Sequence, residues 1–173
     1  MLACTILTFA LCADPRVSGA IAFGGLSVPI VWSHANVPSC AAFGMQATGE
    51  AGLAQIETSW RTDGSGRLVA ALSSAQIDMT AYSWNKMTAA DVAVLRAAYR
   101  ATLWHEIGHL RTAQASLDAI NGQPTFSAAA GMARFRADQD AYDAAAEHGL
   151  RQDTLPPPLG GADTIFECPS DGR

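Results

Sequence analysis

Two histidines, His105 and His109, stand four residues apart in the segment LWHEIGHLRTA, with Glu106 beside the first. On an α-helix that spacing sets the side chains about 40° apart and one turn along the axis, so both imidazoles can meet one tetrahedral ion. The glutamate then lies within reach of a water at that ion. Zinc lowers the pKa of such a water to about 7, and the carboxylate takes its proton as general base while a carbonyl is attacked. This is the chemistry of a zinc metallopeptidase of the HExxH type, and it needs a third ligand.

The helix that carries these residues has two faces. Leu103, Ile107, Leu110 and Leu117 share one and form a core stripe. The histidines share the other with Ala98, Thr102, Thr112 and Ser116, all small, so another element can approach closely. Gly108 points the same way: glycine inside a helix costs about 1 kcal/mol relative to alanine, and its use in an Ala-rich helix implies a neighbour packed against that spot. The plain alternative, a pair of histidines on a solvated helix face, gives Gly108 no purpose. Trp104 and Arg111 lie opposite Glu106 and read as packing and solvent residues. His34, in VWSHANV, reads as an ordinary surface or core histidine, with a supporting role at the site as the alternative. Tyr142 and Tyr99 are candidates to steady an oxyanion.

The third ligand must come from downstream, because HEIGHLRTAQA lacks the glycine and third histidine of the metzincin spacing. The segment DAYDAAAEHG offers Asp140, Asp143, Glu147 and His148. If its helix runs to Gly149, then Ala130, Ala137, Ala141 and Ala144 lie within about 40° of His148, a small-residue stripe that lets the two helices touch. Asp143 falls about 140° away, so His148 is expected as the ligand. The register favours His148 only if the second helix starts near Gly131 or Met132; a start at Ala128 overshoots by roughly 7 to 10 Å.

HEIGH on a long helix followed by this segment resembles a bacterial family of predicted secreted zinc-dependent proteases, a domain of unknown function. In that family the HExxH helix is followed by Tyr-Asp-x-x-Thr-x-His-Gly. Tyr142, Asp143, His148 and Gly149 match, and Ala146 stands where the family has Thr. The resemblance spans about residues 84–150, with weaker similarity around VWSHANVPSC. It implies a zincin-like fold, a peptide or protein substrate, one zinc per chain on His105, His109 and His148, and Glu106 as catalytic base.

Those residues must be positioned by a chain of 173 residues, 49% hydrophobic, which suits one domain with a real core. Charged residues make up 16%, the net charge is −5 and no Lys/Arg cluster occurs, so the footprint of a nucleic-acid binder is missing. The start, MLACTILTFALCADP, holds an apolar run too short to cross a bilayer and suited to the core of a secretory signal, although a basic n-region is missing. Residues 1–13 are therefore expected to be a signal peptide or its remnant, with a buried first strand or helix as the alternative, and 14–173 a single metallohydrolase domain. A secreted or periplasmic location follows. Removing Cys4 and Cys12 with the signal leaves Cys40 and Cys168 as the possible disulfide, against two unrelated thiols.

Residues 17–84 read as strands and turns, with β-favouring runs at 28–32, 55–60, 67–72 and 76–79. QIETSWRTDGSGRLVAAL has the form of a hairpin. Thr88 with Asp91 then caps a helix that runs to Ile120, where Asn121-Gly122 and Pro124 stop it. A second Ala-rich helix starts between Ser127 and Met132 and ends at Gly149, before an extended tail from about 151. The expected fold is α+β: a strand-rich N-terminal half, then the long HExxH helix with the second helix packed against it. Two rival functions remain: a non-catalytic binding or structural protein whose zinc is saturated by Asp140 or His34, and a zinc-free helical interaction domain.

Overall fold

Alternating apolar and polar residues build a four-stranded sheet, in the order β1-β2-β4-β3. The computed structural model describes residues 19–40, 42, 52–123, 127–151, 155 and 159. Strands β1 (Gly19–Phe23) and β2 (Leu26–Asn36) form an antiparallel hairpin around Gly24 and Gly25. Strands β3 (Gly52–Thr62) and β4 (Leu68–Ser83) form the hairpin expected from the sequence. Its turn is pinned by Asp63, whose Oδ1 accepts from the backbone N–H groups of Ser65 at 2.9 Å and Arg67 at 3.0 Å.

The runs 67–72 and 76–79 belong to one strand of 16 residues, β4. The polar Ser73-Ser74 pair does not break it, because β4 is central: β3 pairs with it antiparallel, and β2 pairs parallel from Ile30↔Ile77 to Asn36↔Ser83. The irregularity is absorbed across the ladder, where the β3 register shifts between Glu57 and Thr58. Strand β3 is left at the sheet edge.

Helix α1 (Ala89–Asn121) lies on one face of this sheet. Thr88 and Asp91 form the expected cap, with the Asp91 carboxylate accepting from the Thr88 N–H at 2.7 Å and Thr88 Oγ1 from the Asp91 N–H at 3.2 Å. Its stripe of Leu103, Ile107, Leu110 and Leu117 is buried, the first three against Val28, Ile30, Ile77 and Met79 of the sheet. Helix α2 (Ala128–Ala146), capped by Ser127, packs against α1. The fold is therefore α+β, strands first and helices after. No helix among the described residues is long and apolar enough to cross a membrane.

Helix α2 is rotated relative to the sequence expectation. Ala130, Ala137, Ala141 and Ala144 are exposed, and Asp138, Gln139, Tyr142 and Asp143 turn toward α1 instead. The reason is what α1 presents: the buried Ser116 hydroxyl and the His109 imidazole need hydrogen-bonding partners, which a stripe of methyl groups cannot supply. The expected signal at 1–13, Cys168 as partner of Cys40, and most of the tail beyond 151 lie outside the described residues.

Candidate metal centre

His105, Glu106 and His109 project from the middle of α1 into a cleft closed by α2 and by the start of β3. His105 and Glu106 are each only 5% exposed, so this is no solvated helix face. The residue that meets both imidazoles is Asp143: its Oδ1 lies 3.0 Å from His109 Nε2 and 3.4 Å from His105 Nε2. The three donor atoms fall within 4.8 Å of one another, and the group could hold a metal ion.

His148 stands at the rim, its side chain 71% exposed and its Nδ1 3.7 Å from Asp143 Oδ1. The helical wheel that favoured it needs α2 to continue to Gly149, and α2 stops at Ala146. Glu147, His148 and Gly149 take positive φ angles of 48°, 54° and 89°, which turn the chain away from the helix axis. The register tells the same story. Helix α2 begins at Ala128, the start from which a residue at 148 overshoots. Asp143, five residues earlier and about 7.5 Å back at 1.5 Å per residue, comes level with the histidines.

Tyr142 fixes the distance between the helices. Its ring stacks on His105 at 5.0 Å and meets His109 edge-on at 4.8 Å, and its hydroxyl donates to the His105 carbonyl at 3.0 Å. This is the neighbour that Gly108 implied: a Cβ on residue 108 would overlap the Tyr142 hydroxyl. Gln139 does a second job. Its Oε1 lies 2.9 Å from His109 Nδ1, so with the proton on Nδ1 the Nε2 lone pair faces Asp143 and the cluster.

Glu106 is held from the sheet. Its Oε2 accepts from the Ala54 N–H of β3 at 2.7 Å. The approach depends on Gly52, where a Cβ would come within 2.7 Å of Thr102 Cγ2 and 2.9 Å of Glu106 Cγ. Burial pushes the Glu106 carboxyl up, outweighing the downward pull of His105, His109 and the Ala54 N–H. Burial alone would lower the His109 imidazole, but hydrogen bonds to Asp143 and Gln139, together with the negative charges of Asp143 and Glu106, outweigh it and raise it. At Asp143 the balance runs the other way: burial acts upward, yet the two histidines hold the carboxyl below the usual range.

The remaining candidates fall elsewhere. His34 lies on β2, its Nε2 3.1 Å from Ser83 Oγ, and neither it nor Asp140 joins the cluster. The Tyr99 hydroxyl accepts from the Tyr82 N–H at 2.5 Å, at the end of β4. Arg111 lies over the Trp104 ring at 4.5 Å, a packing pair as expected. Gly52, Ala54 and Gln139 were not singled out by the sequence; Gln139 could have been, since with Tyr142 and Asp143 it forms an i, i+3, i+4 set on one helix face. No family model, no curated protein and no solved structure matches the chain.

Proposed function

We propose that this protein is an exported zinc-dependent hydrolase, a zincin-like peptidase of the HExxH type acting on peptide or protein substrates. One observation carries the reading. A buried carboxyl, Glu106, is fixed by a backbone N–H immediately beside a His105, His109 and Asp143 donor set. A structural metal site has no use for such a group, and a hydrolytic one needs it as base.

The donors fit zinc. Two imidazoles and one carboxylate are the donor types of a catalytic zinc site, and three protein donors would leave a further position open to water or substrate. The same set also suits ferrous iron, and the adjacent buried base is what favours hydrolysis. Bound there, zinc supplies a Lewis acid that polarises a carbonyl and makes a water more acidic. The protein's own groups do the rest. Glu106 Oε1 takes the proton of the attacking water and returns it to the departing nitrogen. Ala54 keeps Oε2 occupied, so the carboxylate presents one oxygen in a set direction. Gln139 Oε1, 2.9 Å from His109 Nδ1, is placed to accept a hydrogen bond there, which would leave the Nε2 lone pair to a metal.

A second reading rests on His148. Its Nδ1 is 3.7 Å from Asp143 Oδ1, close enough that the side chain could close the fourth position and make a saturated, non-catalytic site. One experiment separates the two. Protein purified without added metal should carry about one zinc per chain, and Glu106→Gln should keep it while hydrolysis of casein or a peptide library falls about 10²- to 10⁴-fold. Cleavage by Glu106→Gln at the wild-type rate removes Glu106 as the base. Wild-type protein that holds no zinc, even when it is supplied at neutral pH, removes the enzyme reading.

A further inference from the structure

The cleft at Glu106 has two walls of different character. A cavity of about 300 Å³ is lined by the polar side chains of Glu106, His109, Gln139 and Asp143 and by the apolar ones of Ile56 and Phe135. The size is at the low end for ligand pockets and matches one side chain better than a whole small molecule. Ile56 also packs on the main core, whereas Phe135, half-buried on α2, is not part of that cluster. Leu53, 54% exposed and paired opposite Asp78, lies on the other face of the sheet and does not enter the cleft. Ile56 of β3 and Phe135 of α2 thus bring apolar surface from separate elements to the edge of a polar site. A single exposed apolar residue needs no explanation, whereas convergence beside a candidate base does.

The charge of the polar wall narrows the occupant. Glu106 and Asp143 both face the cavity, so an acidic side chain entering it meets two carboxyl groups. A cation gains little in return, because Asp143 is committed to the histidines and, by the reading above, to the metal. What the apolar wall adds is burial, which favours a side chain of leucine to phenylalanine size over a charged one by about ten- to a hundredfold.

We propose that Ile56 and Phe135 form the specificity pocket of this hydrolase and take a large apolar substrate side chain beside the bond to be cut. The inference rests on the hydrolase reading, and its test is a binding measurement that does not require turnover. Zinc-loaded protein is titrated calorimetrically with the hydroxamates of acetyl-leucine, acetyl-phenylalanine, acetyl-lysine and acetyl-aspartate, which share one metal-binding group and differ only in the side chain. Leucine and phenylalanine compounds should bind about ten- to a hundredfold more tightly than the other two. Phe135→Ala should narrow that gap to under about threefold with zinc content unchanged, and Ile56→Ala, on the other element, provides a second variant if Phe135→Ala folds poorly. Equal affinities across the series on zinc-loaded wild type overturn the pocket and leave the hydrolase standing. An apolar preference that persists undiminished in both variants overturns the assignment to these residues. An apolar preference in a protein that cleaves nothing keeps the pocket and removes the hydrolase, and a chain that holds no zinc loses both.

Discussion

Asp143 and His148 are five residues apart, and zinc affinity distinguishes what each does. Asp143 Oδ1 touches both Nε2 atoms, while His148 reaches only Asp143 and is mostly exposed. Asp143→Ala should therefore weaken zinc binding by more than a hundredfold, beyond the 10- to 100-fold typical of a group that acts through a ligand. His148→Ala should stay within about tenfold. Competition titration against a chromophoric chelator reads both. Metal retained by Asp143→Ala and lost from His148→Ala would restore the ligand set of His105, His109 and His148. The sequence contained the HExxH pair and the adjoining Glu106 because four-residue spacing is a property of the helix alone. It did not contain the choice between Asp143 and His148, because that depends on where α2 stops. Three successive positive φ angles, two of them at non-glycine residues, end the helix earlier than Gly149 alone suggests.

The contact between α1 and α2 is set by Gly108 and Tyr142, and here two effects compete. Alanine at 108 gains about 1 kcal/mol of helix propensity over glycine. It also places a methyl group on the Tyr142 hydroxyl, and overpacking of a closed contact costs about 1 to 3 kcal/mol. The lost hydrogen bond to the His105 carbonyl adds about another 1 kcal/mol. Gly108→Ala should thus destabilise the protein by about 1 to 3 kcal/mol in urea unfolding, opposite in sign to a surface Gly→Ala change in a helix. An increase in stability would mean that Tyr142 is not seated on residue 108. At this scale the caps and the hairpin were legible, since Thr88, Asp91 and the TDGSG turn act through neighbours in sequence. The face of α2 was not. Small residues mark a close approach only where the opposing surface is apolar, and α1 offers Ser116, His109 and a carbonyl at that level. The parallel pairing of β2 with β4 likewise joins segments far apart in the chain and leaves no local trace.

The molecule as a whole is unevenly tied together. Helix α1 rests on the sheet through a continuous apolar face, whereas α2 buries only Gly131, Tyr142 and Ala146. What joins α2 to the rest is mostly polar: Asp138 to Ser116, Gln139 and Asp143 to the histidines. A metal held by His105, His109 and Asp143 would add a link between the helices where apolar burial is thinnest, so chelation is expected to act on α2 first. Free zinc a thousandfold above its dissociation constant stabilises the native state by about 4 kcal/mol, and at roughly 2 to 4 °C per kcal/mol for a chain of this size the expected fall in Tm on chelation is roughly 8 to 16 °C. Hydrogen exchange places the loss: amides of α2 should lose protection in the chelated protein at conditions where those of α1 and β4 keep it, because the latter depend on the apolar core. Re-addition of zinc should restore both readouts. Unchanged melting on chelation, in protein shown to have contained zinc, would mean that the ion sits where it does not bridge the helices. Uniform loss of protection across α1, α2 and the sheet would mean that α2 and the core unfold as one unit, against the division drawn from their burial.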